Sequence, residues 1–235
     1  MKLIISILLL TISLASFAQH NKNTDAMPEL TLGIGISFQK FNGINERIAN
    51  FPKYKQLSDH TGTLQLGFRK EQHRFISELN LIAGSSLSGN RSKKSSVAKF
   101  YGIGAGIGYD LLQSEKILLY PLAGLGYQKY QARFYQDNSS VPFDGLLESP
   151  SSQSQLQSLD FKNSFFTYRL GFGVAVKSAR HCSIGLSAGY TGSFKSHAWK
   201  SNQDQALANS PEDKLSQYQV SIILGSQPSS MMMKH

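Results

Sequence analysis

Apolar side chains recur at every second position in eight stretches of this chain, and no long segment carries the 3.6-residue period of an amphipathic helix. In LTLGIGISF, Leu30, Leu32, Ile34, Ile36 and Phe38 share one face, with Thr31, Gly33, Gly35 and Ser37 on the other. In YGIGAGIGYD, Tyr101, Ile103, Ala105, Ile107 and Tyr109 alternate strictly with four glycines. The same period predicts strands over Thr61–Lys70, Arg74–Ala83, Ile117–Tyr127, Phe166–Lys177, Cys182–Gly192 and Tyr218–Gly225.

The faces opposite the apolar ones are mostly Gly, Ser, Thr and Gln with a few charges, too small and polar to be the core of a soluble sandwich. They suit the inside of a narrow barrel whose apolar side chains face lipid, with Tyr101, Tyr109, Tyr127 and Tyr190 near strand ends. The connections supply an independent sign. The second, fourth and sixth gaps are short (about 70–73, 111–116 and 178–181), and the others are long (about 39–60, 84–99, 128–165 and 192–215). That alternation predicts an all-β, eight-stranded antiparallel up-and-down transmembrane β-barrel with short periplasmic turns, long external loops and both ends in the periplasm. A soluble lipocalin-like barrel is the competing architecture, and it requires the opposite parity.

Met1-Lys2, the apolar run Leu3–Leu14 and Ala15-Ser16-Phe17-Ala18 read as a signal peptide cleaved after Ala18. The expected organisation is therefore a leader over 1–18, an N-terminal periplasmic segment over 19–29, the barrel over 30–225 and a tail over 226–235. With 24 Lys and Arg against 15 Asp and Glu, the chain is basic. In an exported protein this points to anionic lipid headgroups or glycan phosphates rather than nucleic acid. A single Cys rules out an internal disulfide framework and a Cys-based cluster.

The leader ending SFAQ, the glycine-rich YGIGAGIGYD and the YPLAGLGY segment together resemble the small outer-membrane β-barrel proteins of Bacteroidota, the PorT-like or outer membrane protein beta-barrel domain family. The resemblance implies an eight-stranded, porin-like barrel in the outer membrane. Most members have no assigned activity, and one branch is associated with a protein-secretion apparatus. It supplies no functional residues. SQPSSMMMKH after Gly225 departs from the terminal aromatic residue by which barrels are recognised by the insertion machinery.

No catalytic, cofactor-binding or metal-binding residues are assigned, and no cofactor is expected. The glycines from Gly102 to Gly108 alternate without a following helix, which excludes a nucleotide loop. Arg69, Glu78, Arg169 and Lys177 fall on the inward parity, where charges need partners or water. The external rim would be the place for a lipid-modifying enzyme, and His197 beside Ser193 or Ser196 is its best candidate. A metal at His60 and His197 lacks a ligand cluster, and Cys182 on the lipid-facing parity reads as a small apolar residue. Arg91, Lys93, Lys94 and Lys99 form a basic stretch without an acid, suited to lipopolysaccharide phosphates. The reading is a non-enzymatic integral barrel. Its partners are outer-membrane lipid and lipopolysaccharide, the insertion machinery, and an extracellular or envelope protein met through the external loops.

Overall fold

The computed structural model of the chain describes residues 28–90, 93–148, 158–178 and 182–226. The leader, most of the N-terminal segment and the tail after Ser226 lie outside these residues. Eight long strands are present: β1 (Glu29–Gln39), β2 (His60–Gln72), β3 (Phe75–Gly89), β4 (Ser95–Tyr109), β5 (Ile117–Tyr135), β6 (Leu159–Ser178), β7 (Cys182–Ser193) and β8 (Ser216–Ser226). Each pairs antiparallel with the next, and β1 pairs with β8, so the sheet closes on itself. Closure leaves no long strand with an unpaired edge, which lipid would not tolerate.

The predicted parity holds through the membrane-spanning part. On β1 Leu30, Leu32, Ile34, Ile36 and Phe38 are exposed while Thr31, Ser37 and Gln39 are buried, and Ile103 and Ile107 of β4 likewise face outward. The lipocalin-like alternative, with its apolar face inward, is thereby excluded for this segment. Rings mark the two edges of the apolar band: Phe75 packs on Tyr109 near the periplasmic end, while Tyr127 packs on Phe166 and Tyr190 on Tyr218 near the external end.

Four strands, β3 to β6, run well past the external edge of the sequence prediction, and on β4, β5 and β6 the parity inverts there. On β5 the outward positions change from Leu125 and Tyr127 to Lys129, Gln131 and Arg133, and the inward ones from Gly124 and Gly126 to Tyr130, Ala132 and Phe134. On β6 Phe165 is buried inside, and the adjacent Phe166 is exposed outside. The physical reason is the change of solvent. A strand in lipid puts its apolar side chains out, whereas the same strand in water must put them in.

This extension corrects the predicted loops. Residues 84–89 and 95–99 are strand, so the β3–β4 connection is only residues 90–94, shorter than the turn between Tyr109 and Ile117. The strict alternation of long and short connections therefore breaks at the second external one. The first and last external connections fold back over the mouth. Helix α1 (Asn42–Ala49) buries Ile44 and Ile48 there, beside Phe41, Leu57, Trp199 and Leu215 from the flanking loops. In the third connection a short helix α2 (Phe143–Glu148) leaves Phe143 and Leu147 exposed.

Candidate functional site

The inward charges of the periplasmic half form one network and one separate ion pair. Arg69 of β2 donates from Nε to Glu29 Oε2 at 2.9 Å, from Nη2 to Ser183 Oγ at 3.0 Å and from Nη1 to Tyr120 Oη at 3.2 Å. Tyr120 Oη donates to Glu78 Oε1 at 2.7 Å, and Arg169 Nη1 stands 4.0 Å from Glu78 Oε2 while its Nη2 donates to Ser187 Oγ at 3.1 Å. Lys177 donates to Glu71 at 2.6 Å. Every charge that the parity turned inward thus has an acid or base opposite it, as burial demands.

Glu29 was expected in the preceding periplasmic segment. It instead opens β1, opposite Arg69 in the register. Sequence reasoning missed it, and it missed Tyr120, because a partner across the lumen has no fixed sequence spacing. The one available signal was glycine. A Cβ on Gly225 would sit 1.9 Å from the Glu29 carboxylate, and one on Gly173 would sit 2.4 Å from the Tyr120 ring. These glycines are the sockets that let large lumen residues fit.

Below the external rim the lumen is closed by apolar packing. Tyr130 stacks on Phe100 at 4.9 Å and meets Phe41 edge-on at 5.1 Å, and Phe41 meets Trp199 at 5.6 Å. Between this plug and the ionic network, a cavity of about 30 Å³ remains, lined in part by Gln65, Asn80, Gln128 and Arg169. That volume holds about one water molecule.

Asp213 locks the lid. Its carboxylate accepts from the backbone N–H of Gly43 at 2.7 Å and of Ile44 at 3.1 Å, at the start of α1, and from Trp199 Nε1 at 2.7 Å. Gly43 permits the approach, since a Cβ there would stand 2.3 Å from the Glu212 carbonyl oxygen. Asp213→Ala strands the buried indole N–H and removes the helix cap, at a cost of about 2 kcal/mol. Limited proteolysis should then cut within residues 40–59 while the membrane-spanning strands stay protected. An unchanged cleavage pattern would show that the lid does not depend on this carboxylate.

The remaining candidates separate. Ser193 Oγ is buried, accepting from Leu215 N–H at 2.9 Å and donating to the Lys195 carbonyl, so it does not pair with His197, whose ring lies edge-on to Phe165 at 5.8 Å. His60 pairs with Ser58 Oγ at 3.2 Å on the exposed rim. Among the described residues no group of three His, Cys, Asp or Glu is placed to hold a metal ion. Cys182 is exposed on the outer face at the end of β7.

Among the described residues the basic stretch is divided. Arg91 lies outside the described residues. Lys94 donates to the Pro52 carbonyl at 2.7 Å, tying the β3–β4 turn to the first external loop. Lys99 is not in a loop at all; it stands on the outer wall of β4, where the register sets it beside Gln131 of β5. Lys129, two positions from the Tyr127 ring, and Lys162, opposite Gln131, extend the same basic wall. Lys129 stands 3.9 Å from Asp204, and Lys162 donates to the Asn202 carbonyl.

A closed eight-stranded sheet with lipid-facing apolar side chains and a filled lumen defines a small integral outer-membrane barrel. The sequence matches the family model described as "Outer membrane protein beta-barrel domain" over residues 5–225, and the chain belongs to that family. The fold is similar to that of Ail, the attachment invasion locus protein of Yersinia pestis, with a TM-score of 0.51 and 16% identity, covering 87% of this chain and 100% of that one. It is also similar to Neisserial surface protein A, with a TM-score of 0.52 and 8% identity, covering 88% of this chain and 100% of the other. No curated protein matches the sequence.

Proposed function

We propose that this protein is a non-conducting, non-enzymatic barrel that serves as a binding platform, holding a folded external head at the level of the outer-leaflet headgroups. The observation that carries this reading is the filled lumen: an ionic network at one end, an apolar plug at the other, and room for about one water molecule between them. Transport through such a barrel needs both seals to open. Binding needs neither.

The partner class follows from the wall outside the aromatic rings. Lys99, Lys129 and Lys162 sit one or two outward positions beyond Tyr101, Tyr127 and Phe166, where headgroup phosphates lie against the barrel. Lys93 and Lys94 stand above them on the β3–β4 turn.

In planar bilayers the purified protein should show no steady open state. A stable conductance from the wild-type chain would overturn the platform reading. Retention on lipopolysaccharide should fall when Lys129 and Lys162 are both replaced by Ser. The effect should be largest at low salt, since screening acts over about 8 Å at physiological ionic strength.

A further inference from the structure

The outward faces of β3, β4 and β5, beyond the aromatic edge, enclose a groove of about 850 Å³ with the start of the third external connection as its far rim. Its volume lies within the range of small-molecule sites. Its lining has two kinds of surface. Leu87 and Val97, paired across β3 and β4, form a small apolar strip, and Tyr135 offers a ring at the top. The rest is hydroxyl, amide and cation, including Gln131, Asn138, Lys93 and Lys99.

Two observations set this groove apart from an ordinary surface dip. First, of the four buried side-chain polar atoms that lack a hydrogen-bond partner among the described residues, Asn138 Oδ1 belongs to a residue on the rim of this groove. A buried acceptor left unpaired is costly, so this one favours a donor from a ligand. Second, the cations differ in availability. Arg133 is fixed in a two-pronged pair with Asp160 at 2.6 and 2.7 Å, which also raises its already high pKa. Lys99 has no acid opposite it among the described residues.

The position adds the third constraint. From Tyr101 at the aromatic edge to Ser95 at the head of β4 is six residues, about 20 Å along the strand. The groove therefore reaches from the phosphate level outward into the carbohydrate level of the leaflet.

We propose that this groove binds a phosphorylated saccharide. Lys99 and Lys93 take the phosphate. Gln131 and Asn138 take sugar hydroxyls, and Tyr135 with the Leu87–Val97 strip lies against the apolar face of a sugar ring. The saccharide comes either from the carbohydrate of an outer-leaflet glycolipid or from a free glycan outside the cell. The proposal rests on the reading that this wall faces the headgroup layer, and it names the ligand class that the wall selects.

The test uses the full chain refolded into nanodiscs of zwitterionic phospholipid, with heat-modifiable gel mobility as the folding control. Three probes are titrated: a deacylated, phosphorylated core oligosaccharide, the same oligosaccharide after phosphatase treatment, and inorganic phosphate. The phosphorylated oligosaccharide should bind saturably. Dephosphorylation or Lys99→Ser should each weaken it at least about tenfold, and Asn138→Ala severalfold. Inorganic phosphate should bind far more weakly than the oligosaccharide. Intact lipopolysaccharide distinguishes the sources: competition with the oligosaccharide assigns the site to the glycolipid, and failure to compete assigns it to a free glycan.

Absence of saturable oligosaccharide binding, or binding that ignores both Lys99→Ser and Asn138→Ala, would overturn the proposal. So would inorganic phosphate binding as tightly as the sugar. The platform reading is tested separately, by the absence of a steady conductance, which no substitution in this groove alters. A failure of the platform reading therefore appears in the conductance measurement, and a failure of the groove appears only here.

Discussion

Arg69→Ala lowers the unfolding free energy of the barrel by about 3–5 kcal/mol, the cost of removing one partner from a buried pair. The guanidinium is 5% exposed and reaches Glu29, Ser183 and Tyr120 at once. Without it the Glu29 carboxylate stays in the lumen with only Ser183 as a partner, and Tyr120 loses one of its two polar contacts. The double substitution Glu29→Gln with Arg69→Met removes both charges and should recover most of the loss, because the penalty lies in the orphaned charge rather than in the missing attraction. Urea unfolding in lipid vesicles, followed by tryptophan fluorescence and gel mobility, measures both variants. A single-variant loss below about 1 kcal/mol, or a double variant no better than the single, would mean that water reaches this level and solvates the charges.

Ile34→Arg is the second large effect, about 2–4 kcal/mol at the bilayer midplane. Ile34 is 65% exposed on β1, four residues from Leu30 and four from Phe38, which places it about 13 Å along the strand from each edge of the apolar band. Its register partners Ile222 and Leu64 are also outward and apolar, so the arginine finds no acid nearby. The same arginine at Gln131, on the outward face beyond the aromatic rings, should cost about 0–1 kcal/mol. Equal costs at the two positions would show that the boundary between lipid and water does not fall where the parity inverts.

That boundary also divides what could be read along the chain from what could not. The lipid-facing parity, the eight strands and their cores were legible because lipid imposes one rule on every strand: apolar out, small or polar in. The inward direction of Arg69, Glu78, Arg169 and Lys177 followed from the same rule. Their partners did not, since Glu29 and Arg69 are 40 positions apart and Tyr120 and Glu78 are 42. Which charges meet across a lumen depends on strand register and barrel closure, and both exist only in the folded sheet.

The external third shows the limit most plainly. Tyr130-Gln131-Ala132-Arg133-Phe134 alternates as cleanly as any membrane strand, but in the opposite phase to Leu125-Gly126-Tyr127 just before it. Read with a single rule, the phase break between them looks like the end of a strand. Likewise Phe165-Phe166 looks like an irregular start, and Lys99 looks like part of a loop. By itself the sequence determined the compartment-specific architecture, because burial in lipid depends only on each residue's own chemistry and its place in a two-residue period. Only the tertiary structure decided that four strands continue into water, that the first and last loops close the mouth, and that Lys93 and Lys99 share one groove while Lys94 turns to Pro52. Those outcomes depend on which solvent surrounds each level of the barrel and on contacts between segments far apart in the chain.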